Sequence, residues 1–215
     1  MIEPTRILLL RHGQTAWNVE ARVQGQLDIE LDDTGRSQAL QLALRLASED
    51  LAAIYSSDLR RASATAEPLA RAVGLAVVTD PALRERGFGT FEGLTHADIE
   101  QRHPHDAQRW RRREPGFGPG GGEPLQAFYA RSLAAVARLA AGHDGEAIAV
   151  VAHGGVLDCL YRAAVGAALD APRSWALGNA AVNRLLYTGE GFALVGWNDR
   201  AHLDDPARAL DEAPC

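Results

Sequence analysis

Two histidines that are each followed by glycine frame this 215-residue chain: His12 in Arg11-His12-Gly13 and His153 in His153-Gly154-Gly155. Between them lie Ser57-Asp58-Leu59-Arg60-Arg61 and the carboxylate Glu85. A neutral imidazole can attack phosphorus. Arginine side chains and helix N-termini can neutralise the charge that spreads over the oxygens of a transferring phosphoryl group, with no metal required. A carboxyl group can protonate the departing oxygen and later take a proton from water. These are the parts of a covalent phosphohistidine cycle. Each residue alone has a plainer use: a hydrogen-bonded structural histidine, a solvated helix charge, a surface carboxylate. What joins them is position.

Strand-like apolar runs alternate with helical patterns along the chain, the order of an α/β domain with a largely parallel sheet. Arg6–Leu10 reads as the first strand, with a polar loop to about Asp33 and a helix over Thr34–Ser48 capped by Thr34 or Asp33. Ala52–Tyr55 is a second strand, followed by a helix to Val73 that Ser57-Asp58 would cap and Gly74 would stop. Leu75–Thr79 is a third strand. A short helix from Thr95 toward Arg102 is broken by Pro104, and Gly116–Pro124 is a loop. A helix over Leu125–Ala141, a buried strand over Ala147–Ala152 and a helix over Val156–Val165 follow. Ala181–Thr188 and Phe192–Trp197 form a closing hairpin. One domain is expected over 1–198, with a polar tail over 199–215. In this arrangement Arg11-His12, Ser57–Arg61, Glu85 and His153-Gly154 all follow strand carboxyl ends, which share one edge of a parallel sheet and bind ligands there.

Composition narrows the chemistry. All 22 basic residues are Arg, so mechanisms that need a lysine are excluded: a Walker-type phosphate loop, a Schiff base, a kinase-like Lys/Glu pair. The net charge of −6 gives no overall basic footprint for nucleic acid or anionic membrane, so a bound phosphate must be held locally. Cys159 and Cys215 suggest neither a disulfide framework nor a zinc site, and a reducing compartment fits. The apolar run Ile7–Leu10 is too short for a signal segment or membrane span, so the expected location is the cytoplasm.

Weaker candidates read as structure. His103-Pro104-His105 has no neighbouring ligand set and reads as a surface turn. Arg109, Trp110 and Arg111–Arg113 form a solvated helix or a rim that attracts an anionic substrate. Phe88, Phe91, Phe117 and Trp17 are further rim candidates, Trp17 equally a core one.

Together these residues resemble the histidine phosphatase, or phosphoglycerate mutase-like, superfamily. Arg11-His-Gly-Gln-Thr-Ala-Trp-Asn18 resembles its RHGxTxxN signature, and Ser57-Asp-Leu-Arg-Arg-Ala62 its SDLxRA motif. Leu83-Arg-Glu85 with Phe91-Glu-Gly93 and His153-Gly-Gly155 resemble two more, while Gly122-Glu123-Pro124 departs from GGES at the last position. The resemblance implies a nucleophile at His12, a phosphate pocket of Arg11, Arg61 and His153, and Glu85 as proton donor and then general base. It implies further contacts from Asn18, Gln24, Gly25 and the backbone of Gly154, a three-layer α/β sandwich with a mostly parallel central sheet flanked by helices, and catalysis with no metal or other cofactor. The expected activity is hydrolysis of a small phosphorylated metabolite. Mutase-type phosphoryl transfer and a non-catalytic phosphate-binding module are the alternatives. The short segment between Trp110 and Leu125 favours the phosphatase, since cofactor-dependent mutases carry longer inserts over the site. The hairpin edge would stay covered or pair with a second copy of the chain.

Overall fold

A computed structural model of the chain describes residues 3–203. Its six strands are β1 (Thr5–Arg11), β2 (Ala53–Ser56), β3 (Val77–Thr79), β4 (Ala147–Ala152), β5 (Val182–Thr188) and β6 (Gly191–Asp199). They form one sheet in the order β3-β2-β4-β1-β5-β6; the first four run parallel, and β5 and β6 add an antiparallel margin.

Continuous apolar strands sort their side chains by the two-residue period. Ile7 and Leu9 pack with Phe128, Val136 and Leu160, from α6 (Leu125–Ala140) and α7 (Gly154–Val165). Leu8 and Leu10 face the other way, onto Leu42, Leu46 and Leu69, from α2 (Asp33–Leu46) and α3 (Arg60–Val73). Every residue of β4 is buried, as expected of a strand covered on both faces. The result is the expected three-layer α/β sandwich.

Register does the rest. Arg11 pairs with Ala152, and Ser56 pairs with both Val151 and Thr79, so four strands end along one line. His12 and His153 each stand one residue beyond a paired position and leave the sheet side by side.

Several local expectations are corrected. The loop after β1 contains a short helix, α1 (Ala16–Val19), nucleated by a capping box between Thr15 and Asn18. Asp32, rather than Thr34 or Asp33, caps α2 by accepting from the Gly35 amide. Helix α3 starts at Arg60 with Leu59 in the capping position and no side-chain cap. Asp58 is instead held by both nitrogens of Arg84, at 2.7 and 2.5 Å, and this charged partner keeps its carboxyl below the usual range. Pro104 ends α4 (His96–Arg102) but opens another helix, α5 (Pro104–Arg111), occupying a first turn where its missing amide costs nothing. The tail expected from residue 199 begins within β6, a 3-10 turn covers Ala201–Leu203, and residues 204–215, including Cys215, lie outside the described part.

No helix among the described residues is long and apolar enough to cross a membrane.

Candidate active site

A cavity of about 220 Å³ opens at the carboxyl edge of the sheet and is lined by Arg11, His12, Asn18, Gln24, Gly25, Arg61 and Glu85. His153 is completely buried behind it, its ring centroid 5.3 Å from that of His12. The segment carrying His12 is fixed by close backbone packing. A Cβ on Gly13 would sit 2.5 Å from the Gly35 carbonyl, so the position requires glycine. Thr65 Oγ1 accepts from the Gly13 amide at 3.0 Å, and Gln38 Oε1 from the Gln14 amide at 2.9 Å.

The hydrogen bonds dictate both imidazole tautomers. His12 Nδ1 lies 2.7 Å from the Gly13 carbonyl, which can only accept, so Nδ1 carries the proton and Nε2 keeps its lone pair. Arg61 Nε lies 3.2 Å from His153 Nδ1 and can only donate, so the neutral His153 ring carries its proton on Nε2. That Nε2 is buried and has no partner among the described residues. Burial, first, and the Arg61 charge, second, push both rings well below the ordinary histidine range, and both are neutral at pH 7.

Arg61 is buried at the start of α3. Besides His153, it donates through Nη1 to the Leu27 carbonyl at 2.8 Å and through Nη2 to the Gly25 carbonyl at 2.7 Å. Gly25 adopts φ +53°, and a Cβ there would collide with Glu92 Oε1. Glu92 in turn accepts from the Gln26 and Phe88 amides at 3.1 and 2.9 Å, so the Phe91-Glu92-Gly93 motif shapes the turn that holds Arg61. Arg11 donates through Nη1 to the Leu177 carbonyl, while its Nε is buried with no partner among the described residues. Burial lowers its pKa to about 10, which leaves it cationic at neutral pH.

Glu85 reaches the cavity from the segment after β3. Its Oε1 accepts from the Arg86 amide at 2.8 Å and its Oε2 from the Gly155 amide at 2.9 Å. A Cβ on Gly155 would lie 2.1 Å from Glu85 Oε1, which explains the second glycine of His153-Gly154-Gly155. The N-terminus of α7 has no side-chain cap, so the Gly154 amide is open to an anion beside Arg11.

All nine residues expected at the site thus converge: eight line this cavity or the one beside it, and His153 backs it. The rim expectations divide. Phe88, Trp110, Trp17 and Arg111 line cavity walls. Phe91 and Phe117 are buried, and Arg109 pairs with Glu114 over the Phe117 ring, so these three are not rim residues. His103 is the joint between α4 and α5.

Two contributors were not anticipated. Asn179, in the loop before β5, donates through Nδ2 to the His12 carbonyl (3.0 Å), the Gly13 carbonyl (3.2 Å) and Asn18 Oδ1 (3.2 Å). His96 stacks on Trp110 with ring centroids 5.0 Å apart and lines the rim. A second chamber of about 670 Å³ adjoins the first and shares Arg11, Glu85, Phe88, His96 and Trp110 with it. Among the described residues no group of three or more His, Cys, Asp or Glu is placed to hold a metal ion.

Comparison with known proteins places this geometry among relatives. The family model described as "Histidine phosphatase superfamily (branch 1)" matches residues 7–200. Phosphoglycerate mutase-like protein 4 of Arabidopsis thaliana is 38% identical over 95% of this chain and 89% of its own. The metal-independent phosphoserine phosphatase of the same plant is 35% identical over 94% and 84%. The solved structure of a mycobacterial glucosyl-3-phosphoglycerate phosphatase complexed with VO3 superposes with a TM-score of 0.81 at 38% identity, covering 91% of this chain and 99% of that one.

Proposed function

The chain belongs to the histidine phosphatase superfamily, branch 1, and from that premise we propose that it hydrolyses small phosphate monoesters through a phosphohistidine on His12, without a metal. The observation that carries this reading is the His12 tautomer: a neutral ring, pinned at Nδ1, with a free Nε2 lone pair in a cavity whose walls include Arg11 and Arg61. A proton on Nδ1 held by a carbonyl also gives the phosphorylated ring somewhere to share its developing positive charge.

In the first half-reaction Nε2 attacks phosphorus and the bond to the ester oxygen breaks. Glu85, which lines the same cavity, supplies the proton that the departing alkoxide takes. Arg11, Arg61, the Nε2–H of His153 and the Gly154 amide receive the equatorial oxygens, with the side-chain amides of Asn18 and Gln24 beside them. Gln24 Oε1 is buried with no partner among the described residues, so it is available to a protonated phosphoryl oxygen or to water. In the second half-reaction Glu85 takes a proton from water, the resulting hydroxide attacks phosphorus, and phosphate leaves as His12 returns to its neutral form. Arginine charge does the neutralising that a metal would do elsewhere.

The mutase reading has one observation in its favour, the likeness to a protein named phosphoglycerate mutase-like. Hydrolysis is favoured because the second chamber adjoins the cavity and shares Glu85 with it, which gives room for the water that Glu85 would activate. The test is phosphate release from a panel of metabolite monoesters with EDTA present. Steady release supports the phosphatase. Interconversion of 2- and 3-phosphoglycerate that depends on the bisphosphate and outruns release would establish the mutase.

A further inference from the structure

The Gly122-Glu123-Pro124 stretch has no part in the chemistry described so far, yet Glu123 is tied through its amide, carbonyl and carboxylate to the segment that carries Glu85. Its amide donates to the Gly87 carbonyl at 2.7 Å. Its carbonyl accepts from Arg86 Nε at 2.8 Å. Its carboxylate accepts from Nε and Nη2 of Arg131, on α6, at 2.9 and 2.8 Å. The loop comes this close because Gly122 has no Cβ, which would lie 2.6 Å from the Gly87 carbonyl.

Arg131 completes the frame. Besides its fork to Glu123, its Nη1 donates to the Ala82 carbonyl at 2.8 Å and to the Arg84 carbonyl at 3.1 Å. These carbonyls stand at the end of the 3-10 turn Pro81–Leu83, where backbone acceptors have no partner of their own. Glu85 follows immediately, on chain without regular secondary structure, and its own carbonyl is held by Gln26 Nε2 at 3.2 Å. Leu83 roots the segment in the core beside Phe128 and Val136, two residues short of Glu85.

The Glu85 carboxylate depends on this frame. Oε1 accepts from the Arg86 amide, which moves with the segment, and Oε2 from the Gly155 amide on α7, which does not. A shift of the backbone at 84–86 therefore pulls the carboxylate from its place in the cavity. Stability alone is a poor account of the Glu123–Arg131 pair, since its side chains are 20% and 25% exposed and a solvated ion pair contributes little. A planar fork that meets a carboxylate on one side and two carbonyls on the other fixes a shape instead.

We infer that Glu123 and Arg131 are positioning residues for the proton donor: Arg131 fastens the chain just before Glu85, Glu123 fastens the chain just after it, and the ion pair between them closes the frame. The inference rests on the hydrolytic reading above, in which Glu85 protonates the departing oxygen.

The test uses leaving groups that differ in their need for a proton. Nitrophenolate leaves unaided, whereas an alkoxide requires the donor. The readout is kcat/KM for the alkyl monoester that the protein hydrolyses fastest, divided by kcat/KM for p-nitrophenyl phosphate. Losses common to both esters cancel, whether they come from stability or from the Arg131 charge felt at His153.

Glu85→Gln sets the scale and should lower this ratio by roughly 10²- to 10⁴-fold. Arg131→Met keeps a stem beside the Phe128 ring and loses every donor; it should lower the ratio roughly ten- to a hundredfold, the cost of a misplacement near 1 Å. Glu123→Gln should act in the same direction and by less, because an amide keeps one of the two acceptors, and it carries the test by itself if Arg131→Met does not fold. With Glu85→Gln and Arg131→Met combined, the ratio should be no lower than with Glu85→Gln alone, because Arg131 acts through Glu85. A ratio that either positioning variant leaves at the wild-type value, or a further fall in the double variant, overturns the inference and spares the hydrolase. So does a wild-type protein that hydrolyses the aryl ester alone. A ratio unmoved by Glu85→Gln removes Glu85 as the proton donor, and a protein that hydrolyses no ester removes the hydrolytic reading; either takes this inference with it.

Discussion

Arg61 donates from Nε to Nδ1 of His153 at 3.2 Å, while its two terminal nitrogens reach the carbonyls of Leu27 and Gly25. One planar guanidinium therefore sets the tautomer of one imidazole, lowers the pKa of both, and ties α3 to the turn over the cavity. A lysine offers a single nitrogen and cannot meet three acceptors in a fixed fork. Arg61→Lys should lower kcat by roughly 10²- to 10³-fold, nearly as much as Arg61→Ala, the scale of losing one preorganised charge donor. Steady-state kinetics checks this; a lysine variant within a few-fold of wild type would show that the fork is dispensable.

The pH response follows from the two neutral rings. Both pKa values lie well below 6.5 in the folded protein, whereas the unfolded chain protonates these residues near the ordinary value. Below that value the unfolded state binds more protons, so stability is complete above about pH 6.5 and falls as pH drops toward the folded-state values. The slope is about 1.4 kcal/mol per pH unit for each histidine. Thermal melts between pH 8 and 5 should show Tm level and then declining, and His153→Gln should flatten the decline. A Tm that rises on acidification through this window would contradict the burial of two neutral imidazoles.

Gly155 and Glu85 approach so closely that a methyl group cannot be added without moving the carboxylate. The obstructing atoms are the end of the Glu85 side chain at 2.1 Å and the edge of the buried Phe128 ring at 2.9 Å, both side chains, so the fold should survive Gly155→Ala while the proton donor is displaced and the ring shifts. The expected result is a loss of about 10²-fold in kcat, the cost of a misplacement near 1 Å, with a modest fall in Tm from the displaced Phe128 ring. An active Gly155→Ala variant would mean that Glu85 has room to act from another position.

Asn179 gathers the two carbonyls of the His12 segment and the side chain of Asn18 onto one amide nitrogen. Asn179→Ala should release the Gly13 carbonyl that pins His12 Nδ1, lowering kcat about ten- to a hundredfold with a smaller change in KM. Asn179→Asp should fall further, since it sets a carboxylate against three acceptors. Equal activity in the two variants would assign Asn179 a packing role only.

Much of this was legible in the chain because glycines and strand ends carry local signals. The continuous apolar runs of β1 and β4, alternating with helical patterns, pointed to a covered parallel sheet, and the two His-Gly pairs marked where those strands stop. Other features had no such signal. Asn179 sits in an irregular loop with no periodicity, and its partners are more than 160 residues away. Pro104 reads as a helix breaker because its ring forbids an interior position, yet the same ring suits a first turn, and only packing of the buried Ala107 beside Phe91 decides between them. Phe91 and Phe117 read as rim because they flank motif residues, and the small core beneath α4 and α5 claims Phe91 instead. Ser57-Asp58 carries the composition of a cap, but a bidentate arginine 26 residues further along the chain, Arg84, outcompetes the helix for Asp58.

The most direct measurement is to trap the covalent intermediate. Mixed with p-nitrophenyl phosphate and quenched rapidly, the Glu85→Gln variant should release one equivalent of nitrophenol in a burst and then stall, because an aryl leaving group needs no proton donor while the attacking water needs a base to take its proton. Peptide mapping under alkaline conditions should find the phosphoryl group on His12. A burst with no phosphoryl group on His12, or a His12→Ala protein that still turns over, would contradict the account.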